Sequence, residues 1–256
     1  MWRRALSLVA GVLVVTAAVA IVWLVPHPGG PPPPAALPAP VVPAFAPGRP
    51  RPLGPGRSQW AVVRRAVTAR ERPGRRAGAV ARVHTRTPEG TPGVVAVLGR
   101  RARADGIWVR VSLPVLPNGT TGWVPRRALG VYETVRTRLD VDLRRLRATL
   151  LRDGRPVLHM RIGAGRPGWP TPTGAFYVRN RLTRFRSPAY GPIAFGTSAR
   201  SPRATGWPAG GFVGIHGTDR PDLIPGRVSH GCIRLRNADI RALAREMPVG
   251  TPVTVH

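Results

Sequence analysis

A chain of 256 residues is long enough for one large domain or two modest ones with real hydrophobic cores. Its formal net charge of +29 comes from arginine alone, with no lysine anywhere. Such a surplus draws the chain to acidic surfaces without specificity. The arginines are scattered, aromatics make up only 6% of the residues, and no nucleic-acid-binding motif is present, so no nucleic-acid partner is expected. Abundant Arg, Ala, Gly and Pro also fit the codon usage of a GC-rich genome.

The chain opens "MWRR", followed by an uncharged, largely apolar run from Ala5 to Val25. That run has the length of a membrane-spanning helix. Arg3 and Arg4 precede it and no arginine falls between Pro26 and Gly48, so the positive-inside bias places the rest outside. Residues 1–27 are therefore expected to be a transmembrane anchor at the cell membrane, single-pass, with the bulk of the chain extracytoplasmic. "AVA" at Ala18–Ala20 leaves open a cleaved signal peptide and secretion to the cell wall. Residues 28–58 are dense in proline, which removes amide donors and favours extended polyproline II, and they read as a linker.

Short strand signals dominate residues 59–130. "GVVAVLG" (Gly93–Gly99) is a compact apolar run. "GIWVRVSL" (Gly106–Leu113) alternates, placing Ile107, Val109 and Val111 on one face and Trp108, Arg110 and Ser112 on the other. "PNG" (Pro117–Gly119) marks a turn, and "TTGWVP" (Thr120–Pro125) the returning strand. The pattern predicts a small β-barrel, and the stretch from Trp108 to Leu129 resembles the C-terminal half of bacterial SH3-like domains, which implies binding or positioning more than chemistry.

Residues 131–256 begin as a meander. "LDVDL" (Leu139–Leu143), "LRATLL" (Leu146–Leu151) and "PVLHMRI" (Pro156–Ile162) read as three strands, with Asp153-Gly154 supplying a tight turn before the last. Long Pro/Gly-rich loops follow. Asn237 is expected to cap a helix over Ala238–Glu246, with Ile240, Leu243, Ala244 and Met247 on its apolar face and Pro248 stopping it. "TPVTVH" closes the chain as a strand. The fold class expected is mostly β.

The single cysteine, Cys232, cannot form an internal disulfide. It lies in "FVGIHGTDRPDLIPGRVSHGCIRLR" (Phe212–Arg236) with His216 and His230, each followed by glycine. A thiol nucleophile needs a base, and histidine titrates in the right range. Glycines bare the amides that can stabilise an oxyanion. Arg227, Arg234 and Arg236 are expected to favour the thiolate, or to hold substrate carboxylates by forked hydrogen bonds. The H-x13-H-x-C spacing fits no common zinc pattern, so no metal or other cofactor is expected. A structural thiol beside two incidental histidines is the competing reading.

"SHGCIRL", preceded by "GIHG", with "TPTGAF" upstream and "GTPVTV" at the end, resembles the catalytic domain of the YkuD-type L,D-transpeptidases over Thr134–Val255. The resemblance implies a β-rich catalytic fold and a metal-free cysteine acyl-enzyme acting on peptidoglycan stem peptides. It implies release of D-Ala from a donor tetrapeptide, transfer to an acceptor amine to give a 3-3 cross-link, and covalent inhibition by carbapenems. Position by position, Cys232 matches the nucleophile and His216 its base. The Gly217 carbonyl matches the group orienting that imidazole, and His230 a supporting histidine. The amides of Gly231 and Cys232 match oxyanion donors, Ser229 a loop-holding hydroxyl, and Arg234 a residue touching the substrate carboxylate. Only 12 residues separate His216 from Ser229, fewer than is typical, which implies a shortened lid. An L,D-carboxypeptidase and a non-catalytic wall-binding scaffold remain the alternatives.

Overall fold

The computed structural model of the chain describes residues 56–183, 187–203 and 210–256. The expected anchor over residues 1–27 and most of the linker lie outside them. Among the described residues no helix is long and apolar enough to cross a membrane. The fold is mostly β, organised as two sheets.

The first sheet contains β1 (Ser58–Val63), β2 (Val67–Arg70), β3 (Ala79–Val83), β4 (Val94–Arg103), β5 (Gly106–Ser112), β6 (Thr121–Pro125) and β7 (Leu129–Val135). Its order is β3-β2-β6-β5-β4-β1-β7, antiparallel throughout. Apolar residues from successive strands, including Ala61, Val95, Val109, Val111 and Val124, fill its core. The alternation expected in β5 holds for Val109 and Val111, but at its start Trp108 is buried and Ile107 exposed. Asp105 in the preceding turn accepts from Trp108 Nε1 at 2.9 Å, which satisfies the indole's one polar atom and lets the ring turn inward. The sheet also runs past Gly130, because β7 pairs along its length with β1, from Val63 opposite Leu129 to Ser58 opposite Val135.

The second sheet contains β8 (Thr137–Asp142), β9 (Arg147–Arg152), β10 (Arg155–Arg161), β11 (Gly163–Gly165), β12 (Gly174–Leu182), β13 (Ala194–Arg200), β14 (Phe212–His216), β15 (Gly226–Ser229), β16 (Ile233–Arg234) and β17 (Pro252–Val255). Its order is β10-β9-β8-β17-β12-β13-β14-β16-β11-β15. The predicted meander is β8-β9-β10, and both residues of the Asp153-Gly154 turn hold positive φ, +49° and +80°, as a two-residue hairpin turn requires. The C-terminal strand β17 lies inside the sheet, parallel to β8 and antiparallel to β12.

Helix α1 (Asn237–Glu246) covers this sheet with Ile240, Leu243 and Ala244, and Met247 follows them into the core. The expected cap does not form. Arg236 occupies the N-cap position with no side-chain cap, and Asn237 lies inside the helix. Its Oδ1 accepts instead from the Thr218 N–H at 3.0 Å, tying the helix start to the loop after β14.

The sheets are joined by polar contacts. Arg179 donates to Glu89 at 2.8 Å, with both side chains 3% exposed. Asn180 Nδ2 donates to Glu89 at 3.1 Å and to Thr91 Oγ1 at 3.1 Å. Asn118 and the Arg200 backbone exchange two hydrogen bonds, at 2.8 and 2.9 Å. Tyr177 Oη donates to the Val94 carbonyl at 3.1 Å. Trp60 packs on Gly250, whose φ of +84° and proximity to the indole leave no room for a Cβ.

Candidate active site

Strands β14 and β16 run parallel, with Ile215 opposite Ile233 and His216 opposite Arg234. Side chains alternate along a strand, so His216 shares a face with Arg234 and, one position diagonal, with Cys232. A strand spacing of about 4.8 Å and a rise of about 3.3 Å per residue put the His216 and Cys232 Cα atoms roughly 8 Å apart. The two flanking runs are apolar enough to anchor this register, since Val213, Ile215, Ile233 and Leu235 are all in the core.

His216 is buried, and its Nδ1 donates to the Gly217 carbonyl at 2.6 Å. A carbonyl only accepts, so the neutral ring carries its proton on Nδ1 and presents the Nε2 lone pair. Burial pushes the imidazole down to about 4, against the Gly217 carbonyl, which raises it, and with help from the nearby Arg234 charge. Tyr190 packs on the ring, with centroids 4.8 Å apart. The Asn237 Oδ1 lies against both Gly191 and Gly217, where a side chain on either glycine would displace it. Helix α1 thus fixes the carbonyl that orients the imidazole.

Cys232 is free and partly buried, and like Leu182 and Tyr190 it packs against the small cluster of Ala194 and Phe212. The Gly214 N–H donates to its Sγ at 3.3 Å. Burial raises the thiol above its ordinary range, while the Gly214 N–H and Arg234 pull the other way without overcoming it. The thiolate expected from flanking arginines is therefore not the resting species. Arg227 donates to the Leu143 carbonyl at 3.0 Å and Arg236 to that of Ile224 at 2.9 Å, so both are occupied in holding loops. A neutral thiol beside a neutral imidazole is the form that burial favours.

Ser229 is fully buried; its Oγ donates to the Cys232 carbonyl at 2.6 Å and accepts from the Gly231 N–H at 3.1 Å. This locks the turn carrying the thiol, with Gly231 at φ +110°. The Gly231 amide is engaged by Ser229, which leaves the Cys232 amide as the remaining candidate oxyanion donor of the pair. His230 is exposed and stands edge-on to Trp169, and its Nε2 accepts from Arg166 at 2.9 Å. Arg166 stacks on the same indole at 4.5 Å, so the β11–β12 loop braces the histidine. Arg234 is half-buried opposite His216, and its Nε is buried without a partner among the described residues.

Tyr190, Asn237, Arg166, Trp169 and the Gly214 amide belong to this site and were not singled out from sequence. Only Asn237 carried a signal, and it pointed to helix capping. Among the described residues no cluster of three or more His, Cys, Asp or Glu side chains is placed to hold a metal.

These features define a β-rich catalytic-type domain in which a lone thiol and a buried, oriented imidazole share one sheet face. Residues 136–255 match the YkuD family, the L,D-transpeptidase catalytic domain. The chain is 39% identical over 95 residues to a putative L,D-transpeptidase YkuD of Bacillus subtilis, covering 37% of this chain and 51% of that protein. It is 32% identical over 123 residues to the Bacillus licheniformis protein of the same description, covering 48% of this chain and 67% of that one. The chain thus spans half to two thirds of the length of these relatives. A solved catalytic domain of an Enterococcus faecium L,D-transpeptidase acylated by ertapenem is 28% identical, with 48% of this chain and 98% of that one covered and a TM-score of 0.38. The chain belongs to the YkuD L,D-transpeptidase family.

Proposed function

We propose that the protein is a peptidoglycan L,D-transpeptidase that forms 3-3 cross-links through a thioester on Cys232. The observation that carries this reading is the shared face of β14 and β16, where His216, fixed by the Gly217 carbonyl, stands diagonal to the only thiol. Cys232 Sγ bonds to the carbonyl carbon of the third stem residue as its proton passes to His216 Nε2. The carbonyl electron pair moves to oxygen, held by the Cys232 amide. Collapse expels the amine of the terminal D-Ala, which takes the proton from His216 and leaves a thioester. The side-chain amine of a second stem attacks that thioester, His216 takes its proton, and the sulfur departs as the thiol.

Resting neutrality suits this sequence. A buried imidazole with a depressed pKa is unprotonated when substrate arrives, and proton transfer accompanies attack. Ser229, bonded to the Cys232 carbonyl and the Gly231 amide, holds the turn that carries the nucleophile; His230 and Arg166 brace that turn from outside, and Arg234 is available to a substrate carboxylate. In the same proposal, residues 1–27 anchor the chain in the membrane or direct its secretion. The linker 28–58 and an SH3-like domain over 59–130 set the catalytic domain's reach into the wall, and carbapenems acylate Cys232.

The test is incubation of the full chain and its Cys232→Ala counterpart with disaccharide-tetrapeptide, followed by mass spectrometry. Release of D-Ala with a dimer joined at the third residues, absent from the variant, is expected. D-Ala release without dimer identifies a carboxypeptidase, and an unchanged substrate removes the proposal.

A further inference from the structure

A cavity of about 260 Å³ lies where the first sheet meets the catalytic one. His84, Val94 and Leu113 from the first sheet face Arg179, Arg200 and Phe212 from the second across it. Apolar side chains alternate in its walls with four arginines, Arg82 and Arg86 as well as Arg179 and Arg200. The Phe212 ring is sandwiched between two of them, Arg179 at 3.7 Å and Arg200 at 4.2 Å.

The two arginines differ in one respect. Arg179 is neutralised by Glu89. Arg200 has no carboxylate within ion-pair distance among the described residues, and its Nε is buried without an acceptor. Yet its position is built with care: Asn118 holds the Arg200 backbone through both amide atoms, Phe212 supports the guanidinium, and Gly211, at φ +65°, leaves the space that its Nη2 fills. Keeping an uncompensated guanidinium in a partly apolar cavity is costly unless an anion joins it.

The cavity also stands in a definite relation to the thiol. Phe212, Gly214 and His216 alternate along β14 and share a face. Gly214 donates to Cys232 Sγ, and Phe212 belongs to the apolar cluster that includes Cys232. Two residues of strand separate Phe212 from Gly214 by roughly 7 Å. An extended peptide advances at the same rate, so side chains one or two residues along from the one attacked fall within reach of the Phe212–Arg200 pair.

We propose that this cavity is a substrate subsite that takes a free carboxylate on the stem residue preceding the one attacked, with Arg200 as its fork. The Arg200 guanidinium, whose buried Nε has no acceptor among the described residues, suits a planar carboxylate on a short alkyl stem. The inference rests on the stem-peptide reading proposed above, and it assigns the first sheet a direct part in substrate choice.

The test separates the two. Two tetrapeptide stems are made, identical except that the second residue bears either a free carboxylate or its amide. Binding of each to the full-length Cys232→Ala chain is measured by calorimetry, with and without Arg200→Gln. The free acid is expected to bind about tenfold more tightly. Arg200→Gln erases that difference by weakening the acid alone, and Arg200→Lys restores part of it, since it keeps the charge without the fork. Equal binding of acid and amide to the parent chain overturns the subsite, as does equal weakening of both by Arg200→Gln; the parent comparison stands even if that variant misfolds. Turnover of the stems by the parent thiol enzyme is scored separately, so absent turnover with a tenfold binding preference rejects the transpeptidase reading and keeps the pocket.

Discussion

Replacing Glu89 with alanine probes how firmly the two sheets are joined. The carboxylate accepts from Arg179 at 2.8 Å and from Asn180 at 3.1 Å, and both partners of the ion pair are 3% exposed. Removing one member of a buried pair strands the other charge, which costs about 3–5 kcal/mol. Here Arg179 keeps its bond to the Thr197 carbonyl and its stack on Phe212, which places the expectation near the lower end, about 3 kcal/mol. Denaturant unfolding of the full chain, followed by tryptophan fluorescence, measures the loss. Glu89→Ala combined with Arg179→Met removes both charges, and the double variant is expected to be more stable than Glu89→Ala alone. A loss below about 1 kcal/mol, the scale of an exposed ion pair, would refute the claim that this contact is buried and holds the sheets together; so would additive effects of the two substitutions.

Other expectations follow from single contacts. His216 titrates at about 4 in the folded chain against an ordinary 6.5, so the unfolded chain binds more protons between those values and stability falls as the pH does. The loss is expected to begin below about pH 6.5 and to be complete below about pH 4, at about 3 kcal/mol; urea midpoints across that window, compared with His216→Gln, isolate it. The same value puts the acid limb of kcat/KM near pH 4, and a limb near 6.5 would contradict a desolvated base. Asn237→Ala removes the acceptor of the Thr218 N–H and is expected to lower kcat about tenfold with little change in helix content, measured by steady-state kinetics and circular dichroism. Gly250→Ala forces a Cβ into the Trp60 ring at positive φ and is expected to cost more than about 1 kcal/mol in a thermal melt.

Local rules made much of the fold legible. The meander from Leu139 to Ile162 combined apolar alternation with Asp153-Gly154, whose residues tolerate the positive φ that the turn needs. The helix over Ala238–Glu246 was announced by the 3.6-residue spacing of Ile240, Leu243, Ala244 and Met247. Long-range order was not legible. Nothing in "TPVTVH" says that the last strand inserts between β8 and β12, because pairing partners at such separation leave no local trace. Trp108 turned inward because Asp105 satisfied its indole, a contact that alternation alone does not encode.

The candidate site divides the same way. Cys232 and the two nearby histidines could be picked out from residue type and sequence proximity, whereas His216 as the base and Ser229 as a loop-holding hydroxyl came only from the family resemblance. Asn237 was misread because its local role, capping, competes with a tertiary one, and the tertiary contact to Thr218 prevailed. The arginines around the thiol could not be sorted from sequence. Arg227 and Arg236 are drawn off to distant carbonyls while Arg234 stays beside the imidazole. Nor could counting charges reveal that burial outweighs them and leaves the thiol protonated.

The most direct test of the account is the intact mass of the full chain quenched in acid seconds after mixing with tetrapeptide stem. A thioester on Cys232, with the mass of the stem less its terminal D-Ala and absent from Cys232→Ala, is the predicted result. Turnover without that adduct, or an adduct on another residue, would contradict it.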